Sequence, residues 1–159
     1  LALQSHYPPI PPEALEIEIT ERGPMETETF QDAVEKYSAC GLRLSLDDFG
    51  SQYANLSLFT NVRFDTVKLD RSLIARLGDN PVNEALVRDI IAICRTYGMT
   101  CVAEGVETEE HAALLRSLGC RFAQGYYYDK PLAAADFEEK YLWRRTLKFS
   151  DHTGKETHS

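Results

Sequence analysis

Short β-rich runs alternate with helical stretches along most of this chain, and the connections between them are brief. The β-rich runs are Ala14 to Thr20, Leu42 to Asp47, Phe64 to Leu69, Thr100 to Ala103 and Arg121 to Tyr126. Helical patterns cover Glu28 to Ala39, a short stretch near Tyr53 to Phe59, and another ending near Gly78. Longer ones run from Asn80-Pro81 to about Tyr97 and from Thr108 to Leu118, and a last one lies near Ala133 to Leu142. Gly41, Gly98 and Gly119 mark three of the stops, as glycine does just past a helix. Five such βα units, joined too briefly for anything but right-handed crossovers, predict a parallel sheet covered by helices. Two α/β architectures are compatible: an open doubly wound sheet, or part of a TIM-type (β/α) barrel. Five units cannot close a barrel that needs eight, so either the sheet is open or the first strands lie outside this chain.

The 159 residues suffice for one domain with a real core. A net charge of −8 argues against general binding to DNA, which needs a basic footprint. It leaves room for a small anionic ligand held through metal ions. No apolar run is long enough to span a bilayer, and Leu1 to Tyr7 lacks the regions of a signal peptide, so the expected setting is cytoplasmic. Cys40, Cys94, Cys101 and Cys120 form no CxxC pair and sit in or beside apolar segments. Buried reduced thiols are expected for all four. Pro8-Pro9-Ile10-Pro11-Pro12 reads as an extended connector. A domain over residues 1–147 and a polar, disordered tail over 148–159 are expected.

Polar residues fall at telling places on the strands. Side chains alternate faces, so Glu16 and Glu18 share one face and Ile17 and Ile19 the other. Ser45 pairs with Asp47 in the same way, Thr66 with Lys68, Val102 with Glu104, and Phe122 with Gln124. Every strand thus delivers a polar or ionisable group at its C-terminal end, where parallel α/β proteins bind ligands. Asp47 and Asp48 are adjacent, just before Phe49-Gly50. Taken alone, this pair reads as an Asp-rich turn. With Glu18 and Glu104 it offers enough carboxylate oxygen for two hard cations, such as magnesium or manganese. Lys68 beside them could hold a water or a phosphate oxygen, and two metals suit an in-line phosphoryl displacement. A Schiff-base role for Lys68 ranks far lower, because the surrounding acids keep its ammonium protonated.

These segments together resemble the C-terminal portion of the EAL-domain family, the cyclic di-GMP phosphodiesterases. The matching motifs are Glu18-Ile19-Thr20-Glu21, Asp47-Asp48-Phe49-Gly50, Lys68-Leu69-Asp70-Arg71, Ala103-Glu104-Gly105-Val106-Glu107-Thr108, Gln124-Gly125-Tyr126-Tyr127 and Lys130-Pro131-Leu132. The resemblance implies an incomplete TIM-type barrel and hydrolysis of cyclic di-GMP to linear pGpG with magnesium or manganese. It implies that Glu18 and Asp47 share one metal, that Asp47 bridges to a second with Asp48, and that Glu104 lies near the second metal and its water. Lys68 would orient the water, Gln124 would contact substrate, and Glu21 and Glu107 would hold the loop after Asp48.

The departures are equally specific. Glu13-Ala14-Leu15 is not the family's name-giving motif, because it lies at the start of the Glu18 strand. The Glu of that motif, an Asn metal ligand and a phosphate-holding Arg are absent, and Ser51-Gln52 stands where the family has Thr-Gly. The expectation is therefore an active parent whose isolated C-terminal piece hydrolyses little or nothing. The alternative is a non-catalytic cyclic di-GMP-binding or protein-interaction module. Exposed sheet edges predict a homodimer or edge-paired oligomer, and the family's habit predicts a sensory or GGDEF domain in the parent.

Overall fold

The computed structural model describes residues 10–20, 28–51 and 62–143. The expected helix at Tyr53–Phe59, Glu21, Gln52 and the tail over 148–159 lie outside them.

Five strands form one wholly parallel sheet: β1 (Glu16–Thr20), β2 (Arg43–Phe49), β3 (Thr66–Leu69), β4 (Thr100–Ala103) and β5 (Phe122–Ala123). Their spatial order is β1-β2-β3-β4-β5, each strand next to its predecessor in sequence. A doubly wound sheet reverses direction at a switch point. This one steps the same way every time, as a (β/α) barrel does, so the ordering decides between the two architectures. β5 has only two paired residues, fewer than the Arg121–Tyr126 run predicts.

The helices α1 (Glu28–Ala39), α2 (Arg71–Ile74), α3 (Pro81–Thr96) and α4 (Glu109–Ser117) lie in the connections β1–β2, β3–β4 and β4–β5. α3 shows how the sequence sets such an element. Asn80 Oδ1 accepts from the backbone N–H groups of Val82 and Asn83, at 3.0 and 3.2 Å, and Pro81 opens the helix. Val87, Ile90, Ile91 and Cys94 then fall on one buried face. The buried Asn83 side chain is not idle, because its Nδ2 donates to the Leu73 carbonyl at 2.7 Å. That satisfies both groups and ties α3 to α2.

The core lies between this layer and one face of the sheet. Leu44, Leu46, Val67, Leu69 and Ala103 are at most 1% exposed, and Ile90 and Leu115 at most 2%. Each fully buried large side chain contributes about 1.5–3 kcal/mol. Cys94, Cys101 and Cys120 are buried free thiols as expected, whereas Cys40 is exposed at the end of α1. It follows the last helical residue, where apolar neighbours in sequence do not supply packing.

Residues up to Tyr128 form one compact unit and those from Asp129 onward a second. In the second, α5 (Ala134–Phe137) runs on into a π-helical turn (Glu138–Trp143). There the Asp129 carboxylate accepts from Lys140 Nζ at 2.5 Å and from the Tyr141 hydroxyl.

Candidate metal and phosphodiester site

The strand ends are stitched together in steps. Asp70 N–H donates to the Phe49 carbonyl at 3.0 Å, Glu104 N–H to Leu69 at 3.1 Å, and Gln124 N–H to Ala103 at 2.8 Å. Each strand's first residue beyond the pairing is thereby anchored to its neighbour. Glu104 and Gln124 are brought into line with Lys68 on one face.

β2 departs from regular pairing where the chemistry sits. Leu46 opposes Val67 and Phe49 opposes Leu69, so three steps on β2 match two on β3. The extra residue is a bulge, and Asp48 takes a left-handed backbone there, with φ of 55°. In a regular strand Asp47 and Asp48 would point to opposite faces. The bulge instead lets carboxylate oxygens of Asp47, Asp48 and Glu104 lie within 4.8 Å of one another. Gly50 and Gly105 also have positive φ, and a Cβ on Gly105 would stand 2.5 Å from Arg71 Cβ. Glycine is therefore required for the chain to turn away directly after Glu104.

Lys68 lies at the centre. Its Nζ is 2.7 Å from Glu18 Oε1, 3.0 Å from Glu104 Oε1 and 3.2 Å from Asp47 Oδ1. The Asp47 contact is a close charge pair rather than a directed hydrogen bond, because Oδ1 is buried and has no hydrogen-bond donor of proper geometry. Burial pulls the ammonium down, but its hydrogen bonds to Glu18 and Glu104, the Glu104 charge and Asp47 together outweigh it. Lys68 is thus held above its ordinary value and stays charged, which disfavours a nucleophilic lysine. Glu104 is raised, chiefly by burial, with the Asp47 and Asp48 charges adding to it and Lys68 opposing it. Gln124 Nε2 donates to the same Glu104 Oε1 at 2.7 Å.

The predicted residues therefore divide. Asp47, Asp48, Glu104 and Lys68 come together, and Gln124 joins them through Glu104. Glu18 reaches the group only through Lys68 and is outside the three-carboxylate cluster. Glu107 is exposed and also outside it. Sequence alternation alone missed Gln124 as a partner of Glu104. It also missed Thr66, whose hydroxyl donates to Glu16 Oε2 at 3.0 Å further down the same face. A crowded set of hard oxygens, one of them resisting ionisation, fits a divalent cation of the magnesium, manganese or calcium type.

Fold and site together define an α/β protein of TIM-barrel type with an acidic cluster at the C-terminal ends of its strands. The chain belongs to the EAL domain family, whose model matches residues 2–131. It is 33% identical over 135 residues to the cyclic di-GMP phosphodiesterase PdeR of Escherichia coli K12, covering 84% of this chain and 20% of PdeR. The crystal structure of the EAL domain of Mycobacterium smegmatis DcpA superposes with a TM-score of 0.75 at 36% identity, covering 82% of this chain and 59% of that one. A Klebsiella pneumoniae BlrP1 complex with manganese and cyclic di-GMP gives a TM-score of 0.74 at 33% identity, covering 77% of this chain and 31% of that one. The chain spans a third or less of the length of the curated relatives PdeR and the Pseudomonas aeruginosa phosphodiesterase RocR. No helix among the described residues is long and apolar enough to cross a membrane.

Proposed function

We propose that this chain is the C-terminal share, over residues 1–147, of a metal-dependent cyclic di-GMP phosphodiesterase that yields pGpG. The observation that carries the reading is the cluster of Asp47, Asp48 and Glu104 oxygens within 4.8 Å, faced by the Lys68 ammonium. Asp47, Asp48 and Glu104 would hold magnesium or manganese, and Glu18 would join them by leaving Lys68. Bound metal supplies charge stabilisation for the phosphodiester oxygens and a more acidic water.

The remaining roles belong to side chains. Lys68, kept protonated, can donate to the attacking water or to a phosphate oxygen. Gln124 holds Glu104 through its amide nitrogen, which leaves its carbonyl oxygen to meet substrate. Glu21 and Glu107 would fix the loop after Asp48. The Glu and Asn ligands that the family places on earlier strands would complete the site from the rest of the domain. A sensory or GGDEF domain in the parent would control it. The edge strands β1 and β5 would take further strands of that domain or pair with a second copy.

Incubating the chain with cyclic di-GMP and manganese, with chromatography of the nucleotides, tests this. Little or no pGpG is expected from this chain alone and turnover from a version carrying the complementary strands; an inactive completed domain with intact metal binding would refute the enzymatic reading. A second reading, a binding module without turnover, draws on Lys68, which balances three acids without any metal. Calorimetry with cyclic di-GMP in the presence and absence of metal separates the two, because metal-independent binding by an inactive parent belongs only to the second.

A further inference from the structure

The carboxylates gather at the C-terminal ends of the strands, and the N-terminal ends of β4 and β5 carry the opposite charge. A cavity of about 320 Å³ lies there. Ile91, Cys94 and Arg95 of α3 line it, with Met99 and Cys101 around the start of β4 and Arg121 just before β5. A second cavity, of about 290 Å³, shares Gly119 and Arg121 with the first and is lined by Arg116 of α4. Neither lining contains a carboxylate, although acids outnumber Lys and Arg in the chain by 25 to 17. Arg95, Arg116 and Arg121 form no ion pair with a described residue.

Arginine near a helix C-terminus commonly serves the last carbonyls. Here backbone N–H groups already do so. At the end of α3, Met99 N–H donates to the Cys94 carbonyl at 2.8 Å and Gly98 N–H to that of Arg95 at 3.3 Å. At the end of α4, Cys120 N–H donates to Leu115 at 3.0 Å and Gly119 N–H to Arg116 at 3.1 Å. Arg121 lies in no helix. The three guanidinium groups are therefore not needed as caps, and they face cavities with no acid to neutralise them.

We propose that these cavities bind a small phosphate monoester with an apolar body. The phosphate lies between Arg95 and Arg121, whose forked N–H donors suit two oxygens at once. Arg116 adds a third positive charge from the adjoining cavity, which favours a dianion over a carboxylate. The apolar body rests against Ile91, Cys94 and Met99. A volume near 300 Å³ is at the small end for ligand sites and sets the size of the body at about one ring. The site stands apart from the phosphodiesterase reading, because β4 separates Thr100 from Glu104 by about 13 Å of strand.

Titration of the isotope-labelled full chain with phenyl phosphate, followed by NMR at the arginine Nε–Hε signals, tests this. Saturable shifts are expected at Arg95, Arg116 and Arg121. Inorganic phosphate lacks the apolar body and benzoate lacks the second charge, so each should bind more weakly. Arg121→Gln should weaken phenyl phosphate by about tenfold or more, the worth of a hydrogen bond to a charged group. Arg121 is exposed, so the variant should keep its backbone spectrum. Arg76→Gln, an exposed change elsewhere, should leave the affinity unchanged. The proposal is overturned if Arg76 shifts as much as the three arginines or its replacement weakens binding equally. It is also overturned if Arg121→Gln binds like wild type, or if inorganic phosphate or benzoate binds as tightly as phenyl phosphate.

Discussion

Glu104 Oε1 receives two donors at once, Gln124 Nε2 at 2.7 Å and Lys68 Nζ at 3.0 Å. One carboxylate oxygen thereby takes two donors, in a residue that also belongs to the cluster with Asp47 and Asp48. Gln124→Ala should weaken manganese binding by roughly two- to tenfold, the worth of one hydrogen bond, with little change in melting temperature because Gln124 is exposed. Isothermal titration calorimetry on both proteins checks this. An unchanged affinity would remove Gln124 from the site's support.

Lys68→Met should destabilise the chain by about 1–3 kcal/mol, because three acids lose their shared cation in a partly exposed setting. Manganese should restore part of that loss in a thermal-shift series. Lys68 is raised in the folded state, so its contribution is fully present below its ordinary value, about 10.4. It disappears as pH climbs through the raised one. The stability gap between wild type and Lys68→Met should hold from neutral pH to about pH 10 and narrow beyond it. Glu104 acts in the same sense in a lower pH window. With its pKa raised, stability falls with rising pH between the ordinary carboxylate value and its own.

Asp48 offers a separable test of backbone and charge. Asn tolerates the left-handed region, so Asp48→Asn should melt no lower than wild type yet lose most of the manganese-induced shift. Asp48→Ala should lose the same shift and, in addition, about 1–2 kcal/mol from the strained φ. Equal melting temperatures for the two variants would show that the bulge does not hold this geometry in solution.

Gly105→Ala meets two obstacles, the positive φ and the 2.5 Å approach to Arg71 Cβ. A loss of about 2 kcal/mol is expected by urea unfolding, with weaker metal binding because Glu104 must shift. Gly78 also has positive φ but faces open space. Gly78→Ala is the control and should cost only the φ strain.

Much of the fold was legible from residues whose local chemistry is unambiguous. Asn80-Pro81 and the Gly98 stop bound α3 closely, and the alternation in Glu16 to Thr20 reproduces the exposed and half-buried pattern of β1. What escaped was set by neighbours rather than by local preference. The bulge at Asp48 depends on its register against β3, and no periodicity in β2 announces it. β5 is short because only Phe122 and Ala123 find partners on β4. Glu18 was expected beside Asp47 on a cation; its carboxylate pairs with Lys68, which also reaches Asp47, a link that only the assembled sheet supplies. Cys40 is exposed because its helix ends before the core does.

Lys68 has a consequence for assembly. A pocket of acids that relied on metal for neutrality would be a fault line during folding, open to hydrolytic or aggregative loss before any ion arrived. With an ammonium already seated among Glu18, Asp47 and Glu104, the sheet can close without one. On the proposed function, metal loading would then be a competition against an internal rival, and occupancy would follow the supply of divalent ions rather than the moment of synthesis.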